Sequence, residues 1–210
     1  SHVGAQATSD FNVAITSVEY KDEQRKSWDG ESKRPILTHF FYPTTDTNVQ
    51  PILLGEPNNE LFNAGNAVWD GTVISTNKLP LIVMSHGTGG SALQMLWIAE
   101  KLVKSGYLVI GVNHHGNTAA EEKQHAEGYK LWWERSQDIS VVLDKLSSHN
   151  NWASIIDQNK IGIIGFSLGG YTALSSIGGI TDKALFTAFC QSPDKDFTCN
   201  AQVEFSDIDK

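Results

Sequence analysis

Lys160-Ile161-Gly162-Ile163-Ile164-Gly165-Phe166-Ser167-Leu168-Gly169-Gly170 is the stretch on which the fold turns. A β-branched apolar run ends in Gly-x-Ser-x-Gly and passes directly into a helix-compatible segment, Tyr171 to Ser176. The motif therefore stands between a buried strand and a helix, as a strand–turn–helix elbow requires. A serine in such a turn is held in a strained conformation with its hydroxyl clear of the backbone, so the residues two before and two after it must be very small. Gly165 and Gly169 meet that demand. Gly170 and Ala173 continue the small face, letting the helix lie close on the sheet with the positive end of its dipole toward Ser167. Gly-x-Ser-x-Gly also arises by chance in ordinary glycine-rich turns; the flanking strand and helix favour Ser167 as a nucleophile.

Working outward, Leu79-Pro80-Leu81-Ile82-Val83-Met84 is continuously apolar, as a strand covered on both faces should be. Ser85-His86-Gly87-Thr88-Gly89-Gly90 follows, then a helix expected from Ser91 to Ser105, with the capping pattern Ser91-x-x-Gln94 at its start and Gly106 at its stop. Tyr107 to Val112 is a second buried strand, so these pieces make a βαβ unit and a parallel sheet. After the loop Asn113-His114-His115-Gly116-Asn117-Thr118, a helix is expected from about Leu131 to Ser148, with Trp132, Ile139, Leu143 and Leu146 buried and Arg135 paired to Asp138. Trp132-Trp133 is read as core rather than as a substrate platform. Upstream, Phe11–Tyr20 and Pro35–Tyr42 read as an antiparallel hairpin around a long polar loop, Lys21 to Lys33. Thr44 to Lys78, loaded with Asn, Thr, Gly and Pro, reads as a wandering loop pinned by Leu53-Leu54 and Leu61-Phe62 and forming part of a substrate rim. The fold expected is α/β: a doubly wound, mainly parallel sheet with an N-terminal antiparallel hairpin.

A chain of 210 residues is long enough to bury a real core. Its formal charge of −8, with no Lys/Arg cluster, argues against a nucleic-acid partner. Its unbroken apolar runs are far too short to span a bilayer. Cys190 and Cys199 bracket a polar loop without metal-ligand spacing, and two thiols so close in sequence suggest a disulfide. Closing a loop of about ten residues would stabilise the fold by roughly 2–3 kcal/mol. A disulfide implies a periplasmic or secreted protein, and two free thiols a reduced compartment.

The loop from His86 to Gly90 lies at the carboxyl end of a strand, where open α/β sheets place their ligands. Acyl transfer needs two convergent backbone N–H groups to hold an oxyanion. Leu168, directly after the serine, supplies one, and Thr88 in the glycine-rich turn is the expected second, with His86 and Gly87 supporting the loop. Gly87-x-Gly89-x-x-Ala92 also fits a dinucleotide fingerprint, but that reading wants an acidic residue after the next strand, where Asn113 and His114 stand instead. His114 and His115 invite a metal or base reading. Adjacent residues in extended chain point to opposite sides, and no third ligand has a telling spacing, so no metal is expected.

Ser85–Gly90, Asn113–Thr118, Trp133-Glu134-Arg135-Ser136-Gln137-Asp138-Ile139 and Gly165–Tyr171 together resemble the α/β-hydrolase superfamily. Within it they resemble the bacterial branch of predicted dienelactone hydrolases, similar to platelet-activating-factor acetylhydrolases. The resemblance runs from about Pro35 to Cys199 and implies a serine carboxylic-ester hydrolase without a cofactor, acting on small-molecule or lipid-like esters. It implies Ser167 as nucleophile and the amides of Leu168 and Thr88 as oxyanion donors. The His114-His115 pair departs from the Asp-His or His-Pro expected there.

A larger departure concerns the triad, which in this fold runs serine, acid, histidine along the chain. Every histidine here, the last being His149, precedes Ser167, and Asp182, Asp194, Asp196, Asp207 and Asp209 all sit in polar surroundings. The expectation is that residues 1–210 are the N-terminal portion of one α/β-hydrolase domain, with the C-terminal strands missing from this chain. Acid and histidine would come from beyond Lys210, on a complementing polypeptide, and the sheet edge beside the elbow would be left open and apolar. The alternatives are a non-catalytic binding or structural protein on the same scaffold, or an unusual base such as His114 or His115. The end of that strand should lie roughly 10 Å from Ser167, at about 4.8 Å per strand.

Overall fold

Strands come from the β-branched and aromatic runs, and all of them join one sheet in the computed structural model, which describes residues 11–56, 59–74, 77–148, 150–196 and 199. Strands β1 (Asn12–Lys26) and β2 (Lys33–Thr44) form the expected N-terminal hairpin, but it is longer than its apolar segments suggested. The ladder runs from Asn12 opposite Thr44 to Asp22 opposite Arg34, then bulges. Only the segment from Ser27 to Ser32 turns, with Gly30 in the left-handed region at φ 77°. Much of the loop expected from Lys21 to Lys33 is therefore strand, and Asp22 within it and Arg34 just after it are buried with ionic partners.

The expected wandering loop is a second hairpin, β3 (Gln50–Glu56) and β4 (Asn59–Trp69). Its burial rests on Ile52, Ala64, Ala67 and Val68, mostly small side chains, and its ladder shifts register twice. Both features blur the alternation that marks a strand in sequence. Of the residues expected to pin it, Leu54 packs against the core, whereas Leu53 and Phe62 are exposed and Leu61 is 77% exposed.

The remaining elements follow in βα alternation. They are β5 (Leu79–Ser85), a 3-10 turn (Leu93–Met95) leading into α1 (Leu96–Lys104), β6 (Leu108–Val112), α2 (Ala126–Lys130), α3 (Glu134–Ser148), α4 (Asn150–Ala153), β7 (Ile156–Gly165) and α5 (Leu168–Ser176). The helix expected from Ser91 thus begins as a tight turn, in which Gln94 Oε1 accepts the Ser91 N–H at 3.2 Å. The helix expected from about Leu131 to Ser148 is α3, which starts at Glu134, and the short α2 precedes the expected start.

Sheet order is β3-β4-β1-β2-β6-β5-β7. β5 is parallel to both β6 and β7, while β2 is antiparallel to both β1 and β6. This is an α/β-hydrolase-like fold with a mixed, seven-stranded sheet. Side-chain alternation sends Phe40, Val83, Leu108 and Ile110 to one face, under α3 and Trp152, and Phe41, Met84 and Val109 to the other, under α1. β5 is thereby covered on both sides, as its apolar run predicted. β7 borders the sheet, pairing with β5 alone among the described residues, and Ile161 on it is 44% exposed.

The chain divides into two compact units after Ser176. The second contains α6 (Lys183–Gln191), capped by Asp182 Oδ1 accepting the Leu185 N–H at 2.9 Å. In it Cys190 and Cys199 form the expected disulfide, with Cα atoms 5.4 Å apart. Asp207, Asp209 and His149 lie outside the described residues. No helix among the described residues is long and apolar enough to cross a membrane.

Phe40 is fully buried and stacks on Trp152 with ring centroids 4.2 Å apart. Phe40→Ala is expected to lower the unfolding free energy by about 3–5 kcal/mol, measured by urea denaturation.

Candidate active site

Ser167 stands at the turn between β7 and α5 with φ 52°, a left-handed backbone that a side chain bearing a Cβ rarely adopts. Three backbone hydrogen bonds hold it there. Phe166 N–H donates to Ser85 O at 3.1 Å, Gly169 N–H to Phe166 O at 2.8 Å and Gly170 N–H to Ser167 O at 2.8 Å. A Cβ on Gly165 would collide with the carbonyl of Gly169, and one on Gly169 with the carbonyl of Ser85. Both positions thus need the very small residue the elbow demands, because backbone lies directly on backbone there. The Ser167 side chain is exposed, and among the described residues its hydroxyl has no hydrogen-bond partner.

Gly87 is packed against the elbow, where a Cβ would stand 3.3 Å from Ser167 Cβ and 3.2 Å from Phe166 Cδ1. The structure therefore brings the turn from His86 to Gly90 to Ser167, with Thr88 exposed on it and Leu168 opening α5. His86 orders this turn, as expected. Its Nδ1–H donates to Gly87 O at 2.7 Å, and Gly90 N–H donates to the same oxygen at 3.1 Å. In a planar trans peptide the C=O and N–H point oppositely, so holding the Gly87 carbonyl aims the Thr88 N–H away from the imidazole. His86 Nε2 accepts the His114 N–H at 3.2 Å, which fixes the tautomer with the proton on Nδ1.

Beyond that turn lies a frame whose function carried no signal in sequence. Asn117 Oδ1 accepts the Gly89 N–H at 2.5 Å, and Gly90 O accepts both Ala119 N–H and Thr118 Oγ1–H at 2.9 Å. Asn113 Oδ1 accepts the Ala92 N–H at 3.0 Å and its amide group donates to Leu37 O at 3.0 Å. Asn113, where a ribose-binding acid was sought, is thus fully engaged in tying the loops together.

Beneath the loops is a buried charged network. Asp138 accepts from Arg34 Nε at 2.8 Å and Nη2 at 2.9 Å, from Arg25 Nη2 at 2.7 Å and from His114 Nδ1–H at 3.0 Å. His114 Nε2 in turn accepts the Ser85 hydroxyl at 2.9 Å. The expected helical pair between Arg135 and Asp138 does not form. Arg135 turns instead to donate to the carbonyl of His86, with Ser85 Oγ 3.5 Å away. Asp138 is claimed by two arginines from the first hairpin, which spacing along α3 could not reveal. His115 points the other way, as adjacent residues should. Its Nε2 accepts Trp28 N–H at 3.2 Å and its Nδ1–H meets Glu121 at 2.8 Å.

Burial dominates the electrostatics. It pushes His114 down to about 3, aided by Arg135 and opposed by Asp138. Burial likewise drives His86 well below its ordinary value, helped by His114 and Arg135, and lowers His39 to about 4. Burial opposes ionisation of Asp138, but Arg34 and His114 outweigh it and hold the carboxyl below the usual carboxylate range. His114 is therefore a neutral imidazole with both nitrogens committed. It lies at the end of a strand two positions from β7, the separation expected, so it is not placed to take a proton from Ser167.

Residues 70–205 match the sequence model of the Dienelactone hydrolase family. The chain belongs to this family. Among curated proteins, this dienelactone hydrolase family member is similar to protein phosphatase methylesterase 1 of Aspergillus oryzae, 34% identical over 119 residues, covering 52% of this chain and 27% of that protein. The Aspergillus fumigatus protein of the same name is 31% identical over 118 residues, with the same coverage. Among solved structures, a ferulic acid esterase from Streptomyces cinnamoneus superposes with TM-score 0.67 and 20% identity, over 82% of this chain and 57% of that one. The dienelactone hydrolase family chain thus spans about a quarter of the length of its curated relatives, and its likeness to the ferulic acid esterase is one of fold.

Two outcomes follow from this geometry. Gly169→Ala must push Ser85 and His86 away from the elbow, and is expected to cost upward of about 2 kcal/mol in urea unfolding. His39, His86 and His114 are neutral when folded but bind protons below about pH 6.5 when unfolded, so the unfolded state holds more protons and stability drops as the pH is lowered. Between about pH 6.5 and pH 4.5 the slope should approach about 1.4 kcal/mol per pH unit for each histidine. Unfolding free energies that stay flat over that window would contradict the assignment.

Proposed function

We propose that this chain carries the nucleophile and oxyanion hole of a serine carboxylic-ester hydrolase. Ser167 Oγ attacks the ester carbonyl, the tetrahedral oxyanion is held by the amides of Leu168 and Thr88, the alcohol leaves, and water releases the acid from the acyl-enzyme. The observation that carries this reading is the left-handed turn at Ser167, an exposed residue with glycines on both sides packed backbone to backbone and Gly87 of the glycine-rich loop against its Cβ. Strain of that kind persists only where surrounding structure over-determines it, and it clusters at active sites.

The names of the relatives support the same reaction class, since one is a methylesterase and the other a ferulic acid esterase. The dipole of α5 adds to it, because Leu168 is the first residue of that helix and its amide points out of the N-terminus. Acid and histidine are supplied from outside the described residues, consistent with the serine-acid-histidine order of this fold. The substrate is a small-molecule or lipid-like ester. The Cys190–Cys199 disulfide fits work in an oxidising compartment, periplasmic or extracellular.

Labelling of the full-length protein with a fluorophosphonate probe tests the nucleophile. One probe per chain is expected on Ser167, and Ser167→Ala should abolish labelling and lower turnover of an activated ester by several orders of magnitude. Undiminished labelling of the alanine variant would remove Ser167 from this role; a folded protein that takes no label would favour a binding module on a hydrolase scaffold.

A further inference from the structure

We infer that Arg135 is a positioning residue of the oxyanion hole, its guanidinium pinning the His86 carbonyl and so setting the direction of the loop amides that face Ser167. The inference rests on Ser167 being the nucleophile and adds a residue to that site.

Arg135, the second residue of α3, is 1% exposed. Its Nη2 donates to His86 O, and the same nitrogen lies 3.5 Å from Ser85 Oγ. The segment it grips is the joint between the two halves of the site. Ser85 O accepts the Phe166 N–H from the elbow, and a Cβ on Gly169 would meet the carbonyls of both Ser85 and His86. Any rotation of the Ser85–His86 backbone would therefore move the loop and the elbow relative to each other.

Peptide planarity turns this grip into aim. With the His86 carbonyl fixed by Arg135, the N–H of Gly87 in the same plane must point the opposite way. The following plane is fixed by the His86 imidazole on Gly87 O, which orients the Thr88 N–H. Two consecutive peptides are thus locked, one by a cation and one by a neutral imidazole, and the second of them carries the Thr88 N–H. A positive charge held behind the loop favours negative charge developing in front of it.

Stability alone does not account for this residue. Arg135 Nε and Nη1 are buried without hydrogen-bond partners among the described residues. Such a group costs free energy, and an apolar side chain of similar volume is often neutral or stabilising at such a site. Asp138, one turn further along α3, is engaged by Arg25, Arg34 and His114. Burial lowers Arg135 to about 10, so it is still a cation at neutral pH.

Arg135→Met and Arg135→Lys in the full-length protein test the inference. For a p-nitrophenyl ester, the methionine variant should lose on the order of 100-fold in kcat, the loss typical of one oxyanion donor. KM should change by less than about threefold, because a group acting in the transition state leaves ground-state binding alone. Affinity for a trifluoromethyl ketone, which mimics the tetrahedral adduct, should fall in step with kcat/KM, while the melting temperature is unchanged or raised. Lysine, which keeps the charge and one donor toward His86 O, should recover part of the loss. A methionine variant with wild-type kcat, or one whose kcat falls while ketone affinity holds, overturns the role of Arg135. If the methionine variant fails to fold by circular dichroism, the lysine variant decides through the same comparison of kcat with ketone affinity. Wild-type protein unlabelled by fluorophosphonate would overturn the nucleophile and this inference together; labelled wild type with an unaffected methionine variant overturns this inference alone.

Discussion

The contact on which the site depends is between two stretches of backbone, Gly169 lying on the carbonyls of Ser85 and His86. Close-packed interiors tolerate little displacement, and here no side chain intervenes to absorb any. The strand that ends at Ser85 and the helix that begins at Leu168 are therefore indexed to each other directly. Parallel pairing of β5 with β7, with Ser85 opposite Gly165, delivers the two stretches to the same level before the turn is made. The strained serine is held by that registry rather than by interactions of its own side chain.

Around this joint the polar interior is organised in two tiers. The upper tier is neutral: Asn113, Asn117, Thr118 and His86 satisfy the amides and carbonyls of the glycine-rich turn. The lower tier is charged, with Asp138 drawing Arg25 and Arg34 of the first hairpin onto α3. The lower tier joins strands β1 and β2 to a helix far away in sequence, and the upper tier converts that rigidity into a fixed direction for loop amides. Burial keeps the imidazoles between the tiers uncharged, so their hydrogen bonds have a single polarity.

How much of this could be read from sequence depended on whether the cause was local. The elbow was legible because its demands fall on five consecutive residues, and Gly165 and Gly169 announce them. The covered strands β5 and β6 were legible from continuous apolar runs. The β3–β4 hairpin was not, because its buried positions are one isoleucine, two alanines and a valine among polar residues, and its two register shifts break the period. Arg135 and Asp138 stood at a spacing that suits a helical pair, and nothing within α3 could show that arginines about one hundred residues earlier would claim the carboxylate. Asn117 looked like any turn asparagine; its role exists only once Gly89 arrives beside it.

Ser85, His114 and Asp138 make a chain of hydrogen bonds with the same atoms, order and spacing that relay a proton in hydrolytic sites, yet all three side chains are sealed from solvent. A search of this molecule for such an arrangement by interatomic distance would select Ser85, a hydroxyl that no substrate can reach. What separates the two serines is access and backbone geometry: one is entombed at the tail of an ordinary strand, the other raised on a left-handed turn. Distance templates recognise a motif of bonding, and only surface and torsion tell a sealed girder from a hydroxyl open to solvent.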